Sequence, residues 1–217
     1  MRKLMFAIFL LVALNSYTQT KIGLRGGLNF SNFLNSPQYP EDNKYTGTVL
    51  TRINAGLQIE IPLNGDDDWF LYTGPYYAGK GNRIRSRNLV PNFDTITTYL
   101  NYIELPVSIG YKFFEGNNKR LIAGAGVFAG YGFTGKVLYY NDPEHTIRNL
   151  HKPDNRYKRV DAGFNIVTAL EIDKRFGIRL DYSRSLFDIS RYKWKQYNNS
   201  FGFSFFWYLN NKKEEVD

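Results

Sequence analysis

The chain has 217 residues, with 28 Lys and Arg against 20 Asp and Glu, a formal charge of +8, and 17 Tyr and 17 Phe. Cysteine is absent, which excludes disulfides, thiolate metal centres, a cysteine nucleophile and a lipid anchor on cysteine. At 43% hydrophobic and 22% charged residues the composition is not that of a disordered chain, and the negative mean hydropathy excludes a bundle of membrane helices but not a barrel, where only alternate residues meet lipid.

The opening segment, MRKLMFAIFLLVALNSYTQT, carries Arg2 and Lys3, then an apolar core from Leu4 to Leu14, then small and polar residues. This order predicts a secretory signal peptide over residues 1–18, cut near Thr18, followed by one barrel domain over 19–217. The apolar core is shorter than the roughly 20 residues a transmembrane helix needs.

Eight runs with period two follow, the signature of strands. Lys21–Phe30 sets Ile22, Leu24, Leu28 and Phe30 against Arg25, Gly27 and Asn29. Arg52–Ile61 sets Ile53, Ala55, Leu57, Ile59 and Ile61 against Arg52, Asn54, Gly56, Gln58 and Glu60. Trp69–Gly81 is less regular, with Trp69, Leu71, Thr73, Pro75 and Tyr77 expected on the lipid side. Tyr99–Phe114 is long and has an apolar odd face, with Glu104, Pro106, Ser108 and Lys112 on the even face. Pro106 lacks an amide donor and is expected to mark a ladder break or bulge. Leu121–Phe133 opposes alanines and aromatics to Gly124, Gly126, Gly130 and Gly132, with Ile122 and Phe128 among the glycines. Asp161–Ile172, Arg175–Ser185 and Ser200–Leu209 complete the set, with Asp161, Glu171, Arg179, Asp181 and Ser204 on their polar faces.

The connections alternate long and short: 31–51 long, 62–68 short, 82–96 long, 115–120 short, 135–160 longest, 173–174 tightest, 186–199 long. That alternation predicts an all-β fold, an eight-stranded antiparallel up-and-down transmembrane β-barrel with its long loops at one end. Outer-membrane barrels have an even strand number, short periplasmic turns and long outside loops. A soluble barrel that holds an apolar ligand also alternates, with its apolar face inward. The polar faces here mix glycine and serine with a few large residues and charges of both signs, which suits a crowded narrow lumen better than a solvated surface. Aromatics near the run ends (Trp69, Tyr111, Phe113, Tyr131, Phe133, Trp207) match the girdles of a membrane boundary. Runs of about ten residues match a tilted crossing.

The stretches GLRGGLNFSNF (23–33), YTGPYYAGKG (72–81), YLNYIELPVSIGYKF (99–113) and LIAGAGVFAGYGF (121–133) resemble the PorT-type outer-membrane β-barrel proteins common in Bacteroidota. The most specific piece is Tyr99 to Pro106, which carries Asn101-Tyr102 inside the family's Tyr-Leu…Ile-Glu-Leu-Pro element. The resemblance implies an eight-stranded barrel in the cell outer membrane and a link to protein secretion. The tail after Leu209 departs from barrels that end on an aromatic residue.

Chemistry is sparse. Gly124-Ala-Gly126-Val-Phe-Ala129 fits a dinucleotide fingerprint, but the glycines sit inside a strand pattern with no helix after them. The two histidines, His145 and His151, share the longest loop with Asp142 and Glu144 and are expected to be solvated. A lipid-modifying enzyme would need a nucleophile and base in mutual reach, and that loop has no serine. Asp66-Asp67-Asp68 matches no calcium-loop spacing. Glu60, Glu104 and Glu171 are expected to form lumen salt bridges with Arg25, Arg52, Lys112 and Arg179 rather than a catalytic pair. No catalytic, cofactor or metal site is therefore expected. The basic stretches NRIRSR (82–87), HKPDNRYKR (151–159) and RYKWK (191–195) suggest contact with lipopolysaccharide or simply a solvated surface. The export signal argues against nucleic acid. The expected protein is a monomeric, non-enzymatic outer-membrane barrel of structural or adaptor type, with outer-membrane lipids and envelope or secretion proteins as partners.

Overall fold

The computed structural model describes residues 20–34, 45–63, 68–86, 95–116, 119–140, 146–152, 156–173, 175–191 and 195–209. The expected signal peptide and the tail after Leu209 lie outside the described residues. In chain order the strands are β1 (Lys21–Leu34), β2 (Tyr45–Thr48), β3 (Leu50–Pro62), β4 (Trp69–Thr73), β5 (Tyr76–Ser86), β6 (Thr95–Gly116), β7 (Lys119–Tyr139), β8 (Ile147–Arg148), β9 (Val160–Glu171), β10 (Phe176–Ser185) and β11 (Tyr197–Tyr208).

All pairings are antiparallel, and the first strand closes on the last, from Gly23 opposite Tyr208 to Leu34 opposite Tyr197. Closure satisfies the edge amides that hydrocarbon would otherwise leave unpaired. The ring has eight staves because two of them are interrupted. β3 meets β4 (Ile59 opposite Thr73) and β5 (Asn54 opposite Ala78) in one register, so β4 and β5 are halves of one crossing. β2 continues β3 after a one-residue shift at Val49, which sets Thr48 opposite Arg83. β8 adds only a short flap beside the far end of β7.

The two faces fall as the alternation predicts. Ile53, Val127 and Phe205 are about 60% exposed on the outer wall (59%, 60% and 60%), while Glu104 and Asp161 are 0% exposed inside. The apolar set therefore faces outward and the charged set inward, the reverse of a soluble ligand-binding barrel. Trp69, Tyr111 and Phe113 pack on one another at the short-turn end (ring centroids 4.9 and 5.3 Å apart), with Phe176 and Trp207 paired on the opposite side of the ring. This is an aromatic girdle.

Two expectations need correction, and a third holds on one side of its strand. The strands are longer than a crossing: β6 has 22 residues and β7 has 21, against about 9–11 for a tilted span. Their excess lies on the long-loop side, within stretches expected as loops, because inward-facing residues such as Thr98 and Val137 still find buried packing there. Phe114 is not inward: a register shift between Lys112 and Phe114 turns it out to 56% exposure. Pro106 faces inward as expected, yet its pairing with Phe128 of β7 is unbroken. The break falls on its other side. The ladder to the preceding stave is interrupted between Val107, opposite Thr73, and Glu104, opposite Tyr76. Gly74, with φ +128°, and Pro75 form the matching break between β4 and β5. The missing donor and the strained turn coincide, so neither interrupts an otherwise intact ladder.

Candidate functional site

The lumen is the candidate site, and its residues fill it in three tiers. At the short-turn end Arg120 of β7 reaches both Glu60 (Nη2 to Oε1 2.8 Å) and Glu171 (Nη2 to Oε2 2.6 Å). Lys21 adds an ion pair to Glu171 at 3.3 Å. Tyr72 and Tyr208 donate their hydroxyls to Glu60 at 2.7 and 2.8 Å, and Gln58 donates to the Tyr208 hydroxyl at 2.8 Å. The Phe70 ring lies 4.8 Å from the Arg120 guanidinium. The charged members, Lys21, Glu60, Arg120 and Glu171, come from four different staves because inward positions at the same height converge on the axis of a narrow barrel.

The middle tier repeats this logic. Arg179 grips Asp181 from Nη2 and Nε at 2.7 and 2.9 Å, and Arg25 approaches the same carboxylate at 3.5 Å. Arg25 also lies 3.7 Å from the centre of the Tyr76 ring. The Tyr76 hydroxyl donates to Glu104 at 2.6 Å, and Lys80 pairs with Glu104 at 2.5 Å and with Asp161 at 3.9 Å. Asn198 donates to Asp161 at 2.8 Å. Across both tiers the cations Lys21, Arg25, Lys80, Arg120 and Arg179 are matched by Glu60, Glu104, Asp161, Glu171 and Asp181. A buried charge without a partner costs several kcal/mol, so this balance is what makes a filled lumen tolerable.

The third tier is apolar and lies toward the long loops. Phe33, Ala78, Leu100, Tyr102 and Val137 from the wall pack with Leu150, Tyr157 and Ile189, which come from two loops folded into the mouth. Backbone bonds hold this cap: Leu150 N–H to the Gly135 carbonyl (3.2 Å), Tyr157 N–H to Leu150 (3.1 Å) and Lys158 N–H to Ile189 (2.8 Å). The Asp188 carboxylate accepts the Ser190 and Gln196 amides, both at 2.9 Å.

The expected pairs are only partly right. Glu60, Glu104 and Glu171 do form salt bridges in the lumen, and Arg25 and Arg179 do face inward, both of them onto Asp181. Arg120 and Lys80, which carry most of the load, were missed. Both share the inward parity of their runs, Arg120 with Ile122 and Lys80 with Ala78, and that parity was the available signal. Lys112 is not luminal: it pairs with Asp68 (3.2 Å) and Glu115 (2.7 Å) at the turn. Among the described residues Arg52 meets no carboxylate; its Nη2 donates to Tyr77 and Asn101.

His151 is not solvated. It is 2% exposed, edge-on to the Tyr102 ring at 5.4 Å, and a Cβ at Gly132 would overlap its imidazole. Its Nδ1 lies 2.9 Å from the Lys158 carbonyl, so Nδ1 carries the proton and donates. Burial pushes its pKa below the usual histidine range. His145, Asp142 and Glu144 lie outside the described residues, as do Asp66 and Asp67. Gly124 and Gly126 lie mid-strand in β7, where a Cβ at Gly126 would overlap the Val107 carbonyl of β6. They permit tight strand pairing rather than forming a phosphate-binding turn.

Residues 16–191 match the family model described as outer membrane protein beta-barrel domain. No curated protein matched the sequence. Among solved structures, the chain is similar to the attachment invasion locus protein Ail of Yersinia pestis at 13% identity, covering 88% of this chain and 100% of that one, with a TM-score of 0.41. It is similar to Neisserial surface protein A at 10% identity (86% and 96% covered, TM-score 0.45) and to OprG from Pseudomonas aeruginosa at 13% identity (86% and 95% covered, TM-score 0.45). The family match covers most of the chain: the protein belongs to the outer membrane protein beta-barrel domain family, and its place is the outer membrane.

Proposed function

We propose that the protein is a sealed, non-enzymatic barrel that serves as a membrane-anchored structural or adaptor element of the envelope. The observation that carries this reading is the occlusion of the lumen, by balanced ion pairs below and by the Leu150–Ile189 cap above. Eight staves leave room for little but side chains, and here those side chains fill the lumen. Its usable surfaces are then the outer wall, the turns and the projecting strand ends. The resemblance of Tyr99 to Pro106 to PorT-type proteins supports a role in protein secretion or envelope assembly, with proteins of those systems as partners. The reading makes two demands. Reconstituted in planar bilayers, the protein gives no single-channel steps. Crosslinked in native outer membranes, it captures a defined envelope or secretion component through its projecting strand ends. Steady unitary conductance would overturn the sealed reading, and capture of lipid alone would overturn the adaptor role.

A further inference from the structure

Lys80 is enclosed by carboxylates and rings. Its side chain is 1% exposed, and the Glu104 and Asp161 side chains that face it are 0% exposed. The three come from three staves, Lys80 from β5, Glu104 from β6 and Asp161 from β9. Nζ lies 2.5 Å from Glu104 Oε1 and 3.9 Å from Asp161 Oδ2. The Phe128 ring stands 4.5 Å from the amine and the Tyr102 ring 5.9 Å. Gly130 of β7 pairs with both Glu104 and Asp161, so the two carboxylates flank one residue without a side chain. A Cβ at Gly130 would press on Glu104 Cγ at 3.1 Å.

For all this closeness the amine is poorly served. Among the described residues Lys80 Nζ makes no well-angled hydrogen bond, and Glu104 Oε1 and Asp161 Oδ1 accept none. The other oxygen of each carboxylate is satisfied: the Tyr76 hydroxyl donates to Glu104 Oε2 at 2.6 Å, and Asn198 Nδ2 donates to Asp161 Oδ2 at 2.8 Å. One ammonium therefore stands between two carboxylates, each with an oxygen that no hydrogen bond holds. Charge is costly in such an enclosure, and an ion pair there can give way to its neutral form, amine and acid. Neutral amine and acid side by side are the reactants of an amide.

We propose that Lys80 and Asp161 condense into an intramolecular isopeptide bond, with Glu104 moving the protons. Glu104 takes a proton from Nζ and passes it to Asp161 Oδ1. The Nζ lone pair attacks Asp161 Cγ, and a C–N bond forms. Charge that develops on Oδ2 meets the Asn198 N–H already bound to that oxygen. Glu104 takes a second proton from the nitrogen and delivers it to Oδ1, the Cγ–Oδ1 bond breaks, and Oδ1 leaves as water. Two protons and one oxygen depart, the ammonium and carboxylate charges cancel, and Glu104 is restored. Glu104 meets Nζ through one oxygen, the geometry of proton transfer. Asp161 stands farther off, just outside the roughly 3–3.5 Å of a near-attack pair, with its oxyanion donor in place. The bond ties β5 to β9, staves that share no ladder, and so braces the ring across its lumen. It forms once per chain, so the barrel remains non-enzymatic toward other molecules. This inference rests on the burial of the three side chains and not on the adaptor role, so either stands if the other fails.

The test follows the intact mass of the full chain as it is refolded from urea into detergent. Folding is expected to remove one water, about 18 Da, and proteolysis then yields a branched peptide that joins Lys80 to Asp161. Lys80→Arg and Asp161→Ala keep the full mass. Glu104→Gln leaves both reacting groups in place and forms the bond at least about a hundredfold more slowly. Full mass in the folded unaltered chain, with folding read from its heat-modifiable gel shift, overturns the proposal and leaves an ion pair only. A link from Lys80 to Glu104 overturns it too, as does water loss confined to one linear peptide, the mark of an imide. An undiminished rate in Glu104→Gln overturns the proton transfer assigned to that residue. Should Glu104→Gln fail to fold, the mass and the branched peptide of the unaltered chain decide alone.

Discussion

Arg120 holds two buried carboxylates, Glu60 and Glu171, and neither has another arginine within bonding distance among the described residues. Removing it leaves negative charges in a dry lumen, whereas removing charge on both sides leaves a neutral hydrogen-bonded cluster. Arg120→Met is therefore expected to lower unfolding stability by about 3–5 kcal/mol, read as the urea midpoint in detergent micelles. Adding Glu60→Gln and Glu171→Gln to it should recover most of the loss. An unchanged midpoint in Arg120→Met would mean that the cluster is hydrated rather than sealed. His151 gives a second residue-level expectation. Burial, assisted by the nearby Arg159 and opposed by the hydrogen bond to Lys158, lowers its pKa in the folded cap. The opened cap then binds the proton more readily than the closed one. Cap stability is full above about pH 6.5, the ordinary histidine value, and falls as pH drops below it. The protection factors of the 150–152 and 156–158 amides, which divide out the intrinsic pH dependence of exchange, should fall on acidification, and His151→Gln should flatten that fall. A pH-independent protection factor in the unaltered chain would contradict it.

At the scale of elements, the cap is the part whose strength is separable from the barrel. Leu150 is fully buried in a cluster with Tyr157 and Ile189, and the segment reaches the wall through few backbone bonds. Leu150→Ala is expected to weaken cap closure by about 2–5 kcal/mol, seen as faster exchange at 150–158 and 189–190 with the β9 and β10 amides unmoved. Global loosening would show instead that the cap and staves form one cooperative unit. Lipid outside and crowding inside impose period two on every stave, so the eight crossings and both faces were readable from runs such as Asn101–Tyr111. The shifts at Val49 and at Lys112–Phe114 were not readable, because one extra residue reverses parity without changing composition. The partners of Glu60 and Glu104 depend on the stagger around the ring, which links Arg120 to Glu60 across the lumen and sets Lys80 against Glu104 on the neighbouring stave. The burial of His151 depends on how a long loop folds back, and no periodicity encodes that.

For the whole molecule, the tiers act as two barriers in series on one axis. The cap closes the mouth with apolar packing, while the ion-paired network occupies the lumen beneath it with side chains from every stave. These tiers differ in what opens them. Cap loops are held by a small apolar cluster and can yield alone, but the network below is tied to the ring itself, through Lys80 and Glu104 on adjacent staves and Arg120 across to Glu60. A chain with Leu150→Ala and Ile189→Ala is thus expected to lose cap protection and still show no unitary conductance in planar bilayers. Potassium and chloride must themselves pass the paired charges. Only when Lys80→Ala and Glu104→Ala are added, removing a buried pair along with its volume, should brief conducting openings follow. Conductance from the cap variant alone would make the cap the gate and the lower network permeable, and the protein would then be a gated channel rather than an anchored wall.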